Sequence, residues 1–241
     1  MQGYHGLFAS HPDNDTRLQG VVAEAEKYTS SKTGLINRKD YLEHIDGMVF
    51  GDSEEQGIRS GHNFYHLAMD FAVSFLRDGK LIIGRVVCKP FAGGKAFIEM
   101  GVDDINRKLS PREFIKQRLK IKKIRAGRAL NVNNLKGYTG LFDVKGLPAR
   151  VSVIFRDKQA FIFFATVKKQ QDFNHFDKDF INTAISFHRL RKDEKPLAKA
   201  KRIEIVTVTK QDSYKKWAAN SRITNSPEAQ LRLLNGDYPN G

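Results

Sequence analysis

Between Pro148 and Val167 the chain reads PARVSVIFRDKQAFIFFATV, and the rhythm of apolar and polar positions changes partway along. From Arg150 to Phe155, polar or small residues alternate with Val151, Val153 and Phe155, which predicts a half-buried strand. Arg156 to Gln159 is a polar break, short enough for a tight antiparallel return although it holds neither Asn-Gly nor Asp-Gly. Ala160 to Val167 is apolar on both faces, which predicts a central strand covered on each side.

The rest of the chain reads as what covers this hairpin and what is tethered to it. Strand-like alternation at Phe71, Val73 and Phe75 is followed by a turn at Arg77 to Lys80 and a second apolar run. A turn at Ala92 to Lys95 then leads into the strand AFIEMGV. Ser110-Pro111-Arg112-Glu113 supplies an N-cap hydroxyl, a proline at the first helical position and a glutamate at the third. It predicts a helix to about Ile124, with Phe114, Ile115 and Leu119 inward and the basic residues outward. NVNNLKGYTGLFDV predicts one further strand with glycine turns. From Asp172 to Arg189, Phe173, Phe176, Phe180, Ile181, Ile185 and Phe187 predict an amphipathic helix. The order β-β-β-α-β-β-β-α sets helices against an antiparallel sheet, an α+β arrangement.

Before this body, Asp13 to Asp15 can cap a helix over Thr16–Tyr28. Tyr41, Leu42, Ile45, Met48 and Val49 mark a second helix within Gly34–Ile58, capped by Asn37 or Asp40. After it, Lys192 to Lys201 reads as a charged linker, IEIVTVT as a short strand, and Asp212–Asn220 and Glu228–Leu234 as two helices.

Composition adds a strong local charge. The chain of 241 residues carries a net charge of +14 and 17 Phe, enough aromatic material for a real core. Arg107 to Arg128 holds ten Lys or Arg against the single acid Glu113, and Arg189 to Arg202 holds seven against Asp193 and Glu194. Such a patch favours polyanions, with Arg107, Lys108, Arg112, Lys116, Lys120 and Lys123 as the binding candidates. The polyanion classes are nucleic acid, anionic lipid and an anionic or phosphorylated envelope glycan; few aromatics interleave with these cations and no standard motif matches beyond charge, which argues against nucleic acid. The lone Cys88, in the apolar run LIIGRVVC, excludes an internal disulfide. No apolar run reaches the roughly 18 residues of a spanning helix, so no membrane span is expected, and residues 1–20 lack the layout of a signal peptide.

Catalytic patterns are missing from the residues themselves. There is no HExxH, G-x-S-x-G, P-loop or G-x-G-x-x-G. His62 and His66 form an H-x-x-x-H, but an extended segment would hold them roughly 13 Å apart, too far for one ion. Asp103-Asp104 reads as a turn, and Asp177 with Asp179 as N-terminal helix charges. His175 and His188 add no ligand spacing.

Three stretches resemble known families. F-A-S-H-P-x-x-x-x-R-L, from Phe8 to Leu18, resembles the segment closing the catalytic domain of HtpX/BepA-type zinc metallopeptidases, and YLEHIDGMVFGDSEEQGI resembles the linker helix of some members. The first resemblance implies a loop position for His11 beside a zinc, with the metal held elsewhere in a complete peptidase and no cofactor in this chain. FYHLAMDFAVSF, LKGYTGLFDV and FDKDFINTAISFHRL resemble the PsbP-like family. The chain departs from it at FLRDGKL, where a proline and tryptophan are usual, and at His188, where arginine is usual. LLNGDYPNG, after a strand and two helices, resembles part of a LysM-like module, which implies a link to peptidoglycan.

The expected organisation is a peptidase remnant over 1–33, a linker helix over 34–60, a PsbP-like domain over 61–191, and a charged linker with an incomplete LysM-like module over 192–241. The resemblances imply a non-catalytic accessory region of a periplasmic zinc peptidase. Its expected partners are the N-terminal peptidase domain or envelope protein clients, with zinc chemistry confined to the parent. Polyanion binding through 107–128 is the alternative.

Overall fold

Three two-residue turns organise the protein in its computed structural model, which describes residues 24, 37–75, 82–83, 95–105, 108–223 and 226–237. Asn133-Asn134, Lys145-Gly146 and Asp157-Lys158 each join neighbouring long strands. Asn133, Asn134, Lys145, Gly146 and Asp157 all take positive φ, between +49° and +81°, the backbone hand that matches strand twist. The peptidase-like motif with His11, the helix expected over Thr16–Tyr28 apart from Glu24, the turn at Arg77, Cys88, the turn at Ala92 up to Gly94, Arg107 and the last four residues of the LysM-like motif lie outside the described residues.

The chain divides into two compact units, Met1–Asp46 and Gly47–Gly241. In the first, the described element is α1 (Arg38–Ile45), with Asn37 at its N-cap and no buried residue. This is shorter than the helix expected within 34–60. Val49–Phe50 instead forms a strand, β1, because its backbone pairs with Lys201–Arg202.

The second unit carries a three-stranded antiparallel sheet, β2 (Ile58–Ser60), β3 (Asn63–His66) and β4 (Phe71–Ser74). Its larger, six-stranded sheet is built from β5 (Ile82–Ile83), β6 (Ala96–Asp104), β7 (Arg125–Val132), β8 (Leu135–Val144), β9 (Leu147–Arg156) and β10 (Gln159–Val167). The spatial order is β5-β6-β10-β9-β8-β7, antiparallel except for β5 beside β6. Helix α2 (Pro111–Gln117) lies between β6 and β7 in sequence, and α3 (Phe173–Ile185) follows β10. The α+β class, an antiparallel sheet flanked by helices, is therefore the observed one.

β10 sits between β6 and β9, and its alternate residues feed two cores. Phe161 and Phe163 join Phe64, Phe71, Val73, Ala184 and Phe187, from the small sheet and the end of α3. Ala160, Ile162 and Phe164 face the other way, with Phe114 and Ile115 of α2. Burial on both faces is why this strand has no polar rhythm.

Four expectations need correcting. β9 is covered on both faces, since Arg150 and Ser152 are as buried as Val151 and Val153. α2 ends at Gln117 and not near Ile124: Lys120 turns the chain at φ +59°, and Ile121 and Ile124 fold back onto the α2 core. The single strand expected over NVNNLKGYTGLFDV is β8 alone, with β7 a separate strand ahead of it. IEIVTVT does not form the regular strand expected: Ile203 pairs with Gly47 and Met48, and Val206 and Val208 are exposed.

The expected charged linker over 192–201 is also corrected, for it is packed. Glu194, Ala198 and Ala200 are buried, Ala198 against Tyr65, Ala72 and Leu190. Two short helices close the described chain, α4 (Tyr214–Asn220), capped by Ser213, and α5 (Pro227–Leu234).

Candidate polyanion-binding face

Helix α2 has its opening dictated locally. Ser110 Oγ accepts from Glu113 N at 3.3 Å and Glu113 Oε2 accepts from Ser110 N at 2.8 Å, the reciprocal capping box. Those bonds hold the Glu113 carboxyl below the usual glutamate range. With Pro111, Phe114 and Ile115 buried, Arg112 and Lys116 fall one turn apart on the solvent side. Lys120, Lys122 and Lys123 follow in the exposed segment that leads into β7, and Arg128 stands on β7 itself.

Of the candidates, Lys108, Arg112, Lys116, Lys120 and Lys123 are all solvent-exposed, and Arg107 lies outside the described residues. No carboxylate among the described residues pairs with any of the five, nor with Lys122 or Arg128. Two cations of the same stretch are taken. Arg118 donates through Nε and Nη2 to the Asp103 carboxylate at 2.7 and 3.1 Å, and Arg125 donates to Asp143 at 2.8 Å. The Arg118 bond holds Asp103 below the ordinary aspartate range. Asp103 and Asp104 thus end strand β6 and do not form the turn expected of them.

The missed contributor is Lys136, exposed on β8 opposite Asn131. The Asn-Asn pair that precedes it, a turn signal read as part of one strand, could have placed it. Tyr138, the nearest aromatic on that strand, is half-buried and packs against the α2 core. The face can therefore hold negative charge, and among the described residues no aromatic side chain interleaves with Lys108, Arg112, Lys116, Lys120, Lys122 and Lys123 other than the buried Phe114.

Elsewhere, buried charge is spent on architecture. Arg150 makes a bidentate bond to Asp177 of α3 and donates to Thr139 Oγ1 at 3.2 Å. Asp177, expected as an N-terminal helix charge, lies in the first half of α3 and is also the ion-pair partner of Arg150. Arg156 donates to the carbonyls of Met69 and Asp70 and lies 4.8 Å from the Phe161 ring centroid. Its burial and the neighbouring Arg189 lower its pKa.

His188, where the PsbP-like pattern has arginine, pairs with the buried Glu194, Nε2 lying 3.0 Å from both carboxylate oxygens. Burial opposes the charge on Glu194, but bonds from the Arg191 guanidinium, the Arg191 N–H and His188 hold its pKa at about 2. The folded value lies below the ordinary 4.5, so this stabilisation is complete above about pH 5 and disappears as pH falls through about 2. It is on the order of 3 kcal/mol. Glu194→Gln is expected to be less stable at pH 7 and to flatten the urea-unfolding profile between pH 5 and 2. A profile parallel to that of the unaltered protein would assign the acid loss to other carboxyls.

His62 precedes β3 and His66 ends it, and among the described residues no three His, Cys, Asp or Glu side chains converge as metal ligands. No helix among the described residues is long and apolar enough to cross a membrane.

No protein-family model matches the chain, and no curated protein matches it in sequence. Among solved structures it is similar to a cyanobacterial PsbP (CyanoP) from Synechocystis sp. PCC 6803, at 10% identity and a TM-score of 0.32, over 67% of this chain and 98% of that one. It is also similar to a protein from Bacteroides thetaiotaomicron VPI-5482, at 14% identity and a TM-score of 0.32, over 58% of this chain and 50% of that one.

Proposed function

We propose that this chain is a non-catalytic binding region that holds a polyanionic partner on the face formed by α2, the segment after it and β7. The observation that carries the reading is a run of exposed cations, Lys108, Arg112, Lys116, Lys120, Lys122, Lys123 and Arg128, with no carboxylate partner among the described residues. Seven like charges close together along the chain repel one another, and an anionic polymer lying against them offsets that repulsion while its own counterions are released. With few aromatics interleaved among them in the described residues, contact is with charge more than with bases, which favours an anionic glycan or an acidic protein over sequence-specific nucleic acid.

The setting of this activity, as an accessory region to an HtpX/BepA-like zinc peptidase in the periplasm, rests on the F-A-S-H-P motif of the first unit. Positioning of envelope clients is the corresponding role, and the LysM-like tail, with Tyr214 and Trp217 in edge contact at 5.5 Å, is the part suited to peptidoglycan.

The test is a salt titration of binding to a sulfated glycan and to duplex DNA. The unaltered chain is expected to bind both at low salt and to lose affinity as salt rises. Arg112→Glu, Lys116→Glu and Lys123→Glu together are expected to abolish that binding while changing stability little, since all three side chains are exposed. Binding equal to that of the unaltered chain would sink the reading.

A further inference from the structure

We infer that the partner of this face is an extended acidic polypeptide segment, which adds to the large sheet as a further strand along β7. The inference rests on the polyanion reading and gives the polymer its backbone.

β7 ends the sheet: β8 is its only neighbour among the described residues. From Arg125 to Ala129, and again at Asn131, it is exposed to solvent. Its pairing with β8 closes at Val132 and Leu135 around the two-residue Asn133-Asn134 turn. The pair closing such a turn is a hydrogen-bonded one, and the bonds of an antiparallel ladder alternate. Val132, Leu130 and Arg128 therefore spend their N–H and C=O groups on β8. The N–H and C=O of Ala129 and Asn131 point the other way, off the edge of the sheet. This is the row of donors and acceptors that an incoming strand uses.

The side chains around that row decide what can come. Leu130 and Val132 lean into the core shared with α3, so the strand is anchored and its edge is held in place. Arg128 lies on the same face as Leu130, and Lys136, opposite Asn131 on β8, lies on the other face. Lys122 and Lys123 stand at the entry to the strand. An added strand thus meets cations above and below the sheet. A second copy of β7 brings its own Arg128 to the same place and is repelled, whereas a strand with acidic residues on both faces is drawn in. The break in register between Arg125 and Arg128, with Ala126 at φ +44°, twists the edge away at one end and the Asn-Asn turn closes it at the other. The site is therefore short, matched to a segment of about five residues at one residue per strand position.

The experiment uses the full chain and an end-blocked heptapeptide with its glutamates in adjacent pairs, Thr-Glu-Glu-Thr-Glu-Glu-Thr, so that each face of the strand carries acid, read by calorimetry and by amide shifts at Ala129 and Asn131, with a sulfated glycan fragment beside it. The peptide is expected to bind and to shift both amides. N-methylating the peptide at alternate residues, in the frame that faces β7, is expected to weaken it roughly tenfold, the worth of losing one or two backbone bonds. Methylation in the other frame is expected to leave it unchanged. Ala129→Pro, which removes an outward N–H and none of the β8 ladder, is expected to weaken the peptide by a similar factor and to leave glycan binding alone.

Equal binding by both methylated frames would overturn the strand while leaving the polyanion reading intact. Failure of peptide and glycan alike at low salt would remove both. Reversible dimerisation that protects the Ala129 and Asn131 amides would also overturn it, by naming a second copy as the occupant.

Discussion

Phe187→Ala is expected to remove about 4 kcal/mol of stability, a large part of the 5–15 kcal/mol typical of a folded domain. Phe187 is fully buried, with its ring centroid 4.5 Å from that of Phe161, 5.5 Å from Phe71 and 6.3 Å from Phe163. It joins three elements at once: the small sheet, the large sheet and the end of α3. Its backbone carbonyl also accepts from Asn133 Nδ2 at 2.8 Å, which ties the β7–β8 turn to the same point. Truncation opens a cavity that none of these elements can close alone, and it removes one of the two rings beside the Arg156 guanidinium. Urea unfolding measures the loss, and a loss below about 1 kcal/mol would mean that the core does not depend on this junction. Phe114→Ala, in the core on the other side of the sheet, is the matched comparison.

The parts of the fold legible in the sequence are those whose signal is local. Ser110-Pro111-x-Glu113 specifies a helix start within four residues, and the structure forms that capping box. FIFFA needs cover on both faces, and it lies in the middle of the large sheet. What was not legible depends on distant partners. Val49–Phe50 continues a helical apolar spacing, yet it is a strand because Lys201–Arg202 runs beside it. Lys192–Lys201 has the composition of a linker, yet it is packed because Glu194 finds His188 and Arg191. β7 was hidden because RAGRALNV has little apolar rhythm, its outer side being exposed and its register broken at Arg125–Arg128.

The candidate site was legible as charge and illegible as geometry. Ten cations in one stretch are countable, but it is the fold that brings Arg118 to Asp103 and Arg125 to Asp143. Those two pairs also hold the site together. Asp103 anchors the residue after α2 to β6, and Asp143 anchors the start of β7 to β8, so the remaining cations stand on fixed elements. A face that is positioned in this way loses less freedom on binding than the same charges on a loose tail.

Asp177→Ala is expected to cost about 3 kcal/mol, and the reason lies with the residue left behind. The Arg150 side chain is 6% exposed, within the sheet beneath α3, and its guanidinium has Asp177 and Thr139 as its bonded partners there. Removing the carboxylate leaves a buried cation with one neutral acceptor, the expensive way to break such a pair. The cost falls at the lower end of the range because the Asp177 side chain is 26% exposed, which admits water to the vacated site. The alternation of Arg150 to Phe155 gave this arginine the look of a solvent-facing residue, and the covering helix reverses that. Replacing both partners, Arg150→Met with Asp177→Leu, is expected to restore most of the loss, because a packed apolar pair of similar volume carries no desolvation penalty. The four proteins of that cycle, unfolded in urea at pH 7, separate the alternatives. If the double variant is as unstable as Asp177→Ala alone, the ion pair fixes how α3 sits on the sheet; if it recovers, α3 is held by Phe173, Phe180 and Ala184, and the charges set only its register.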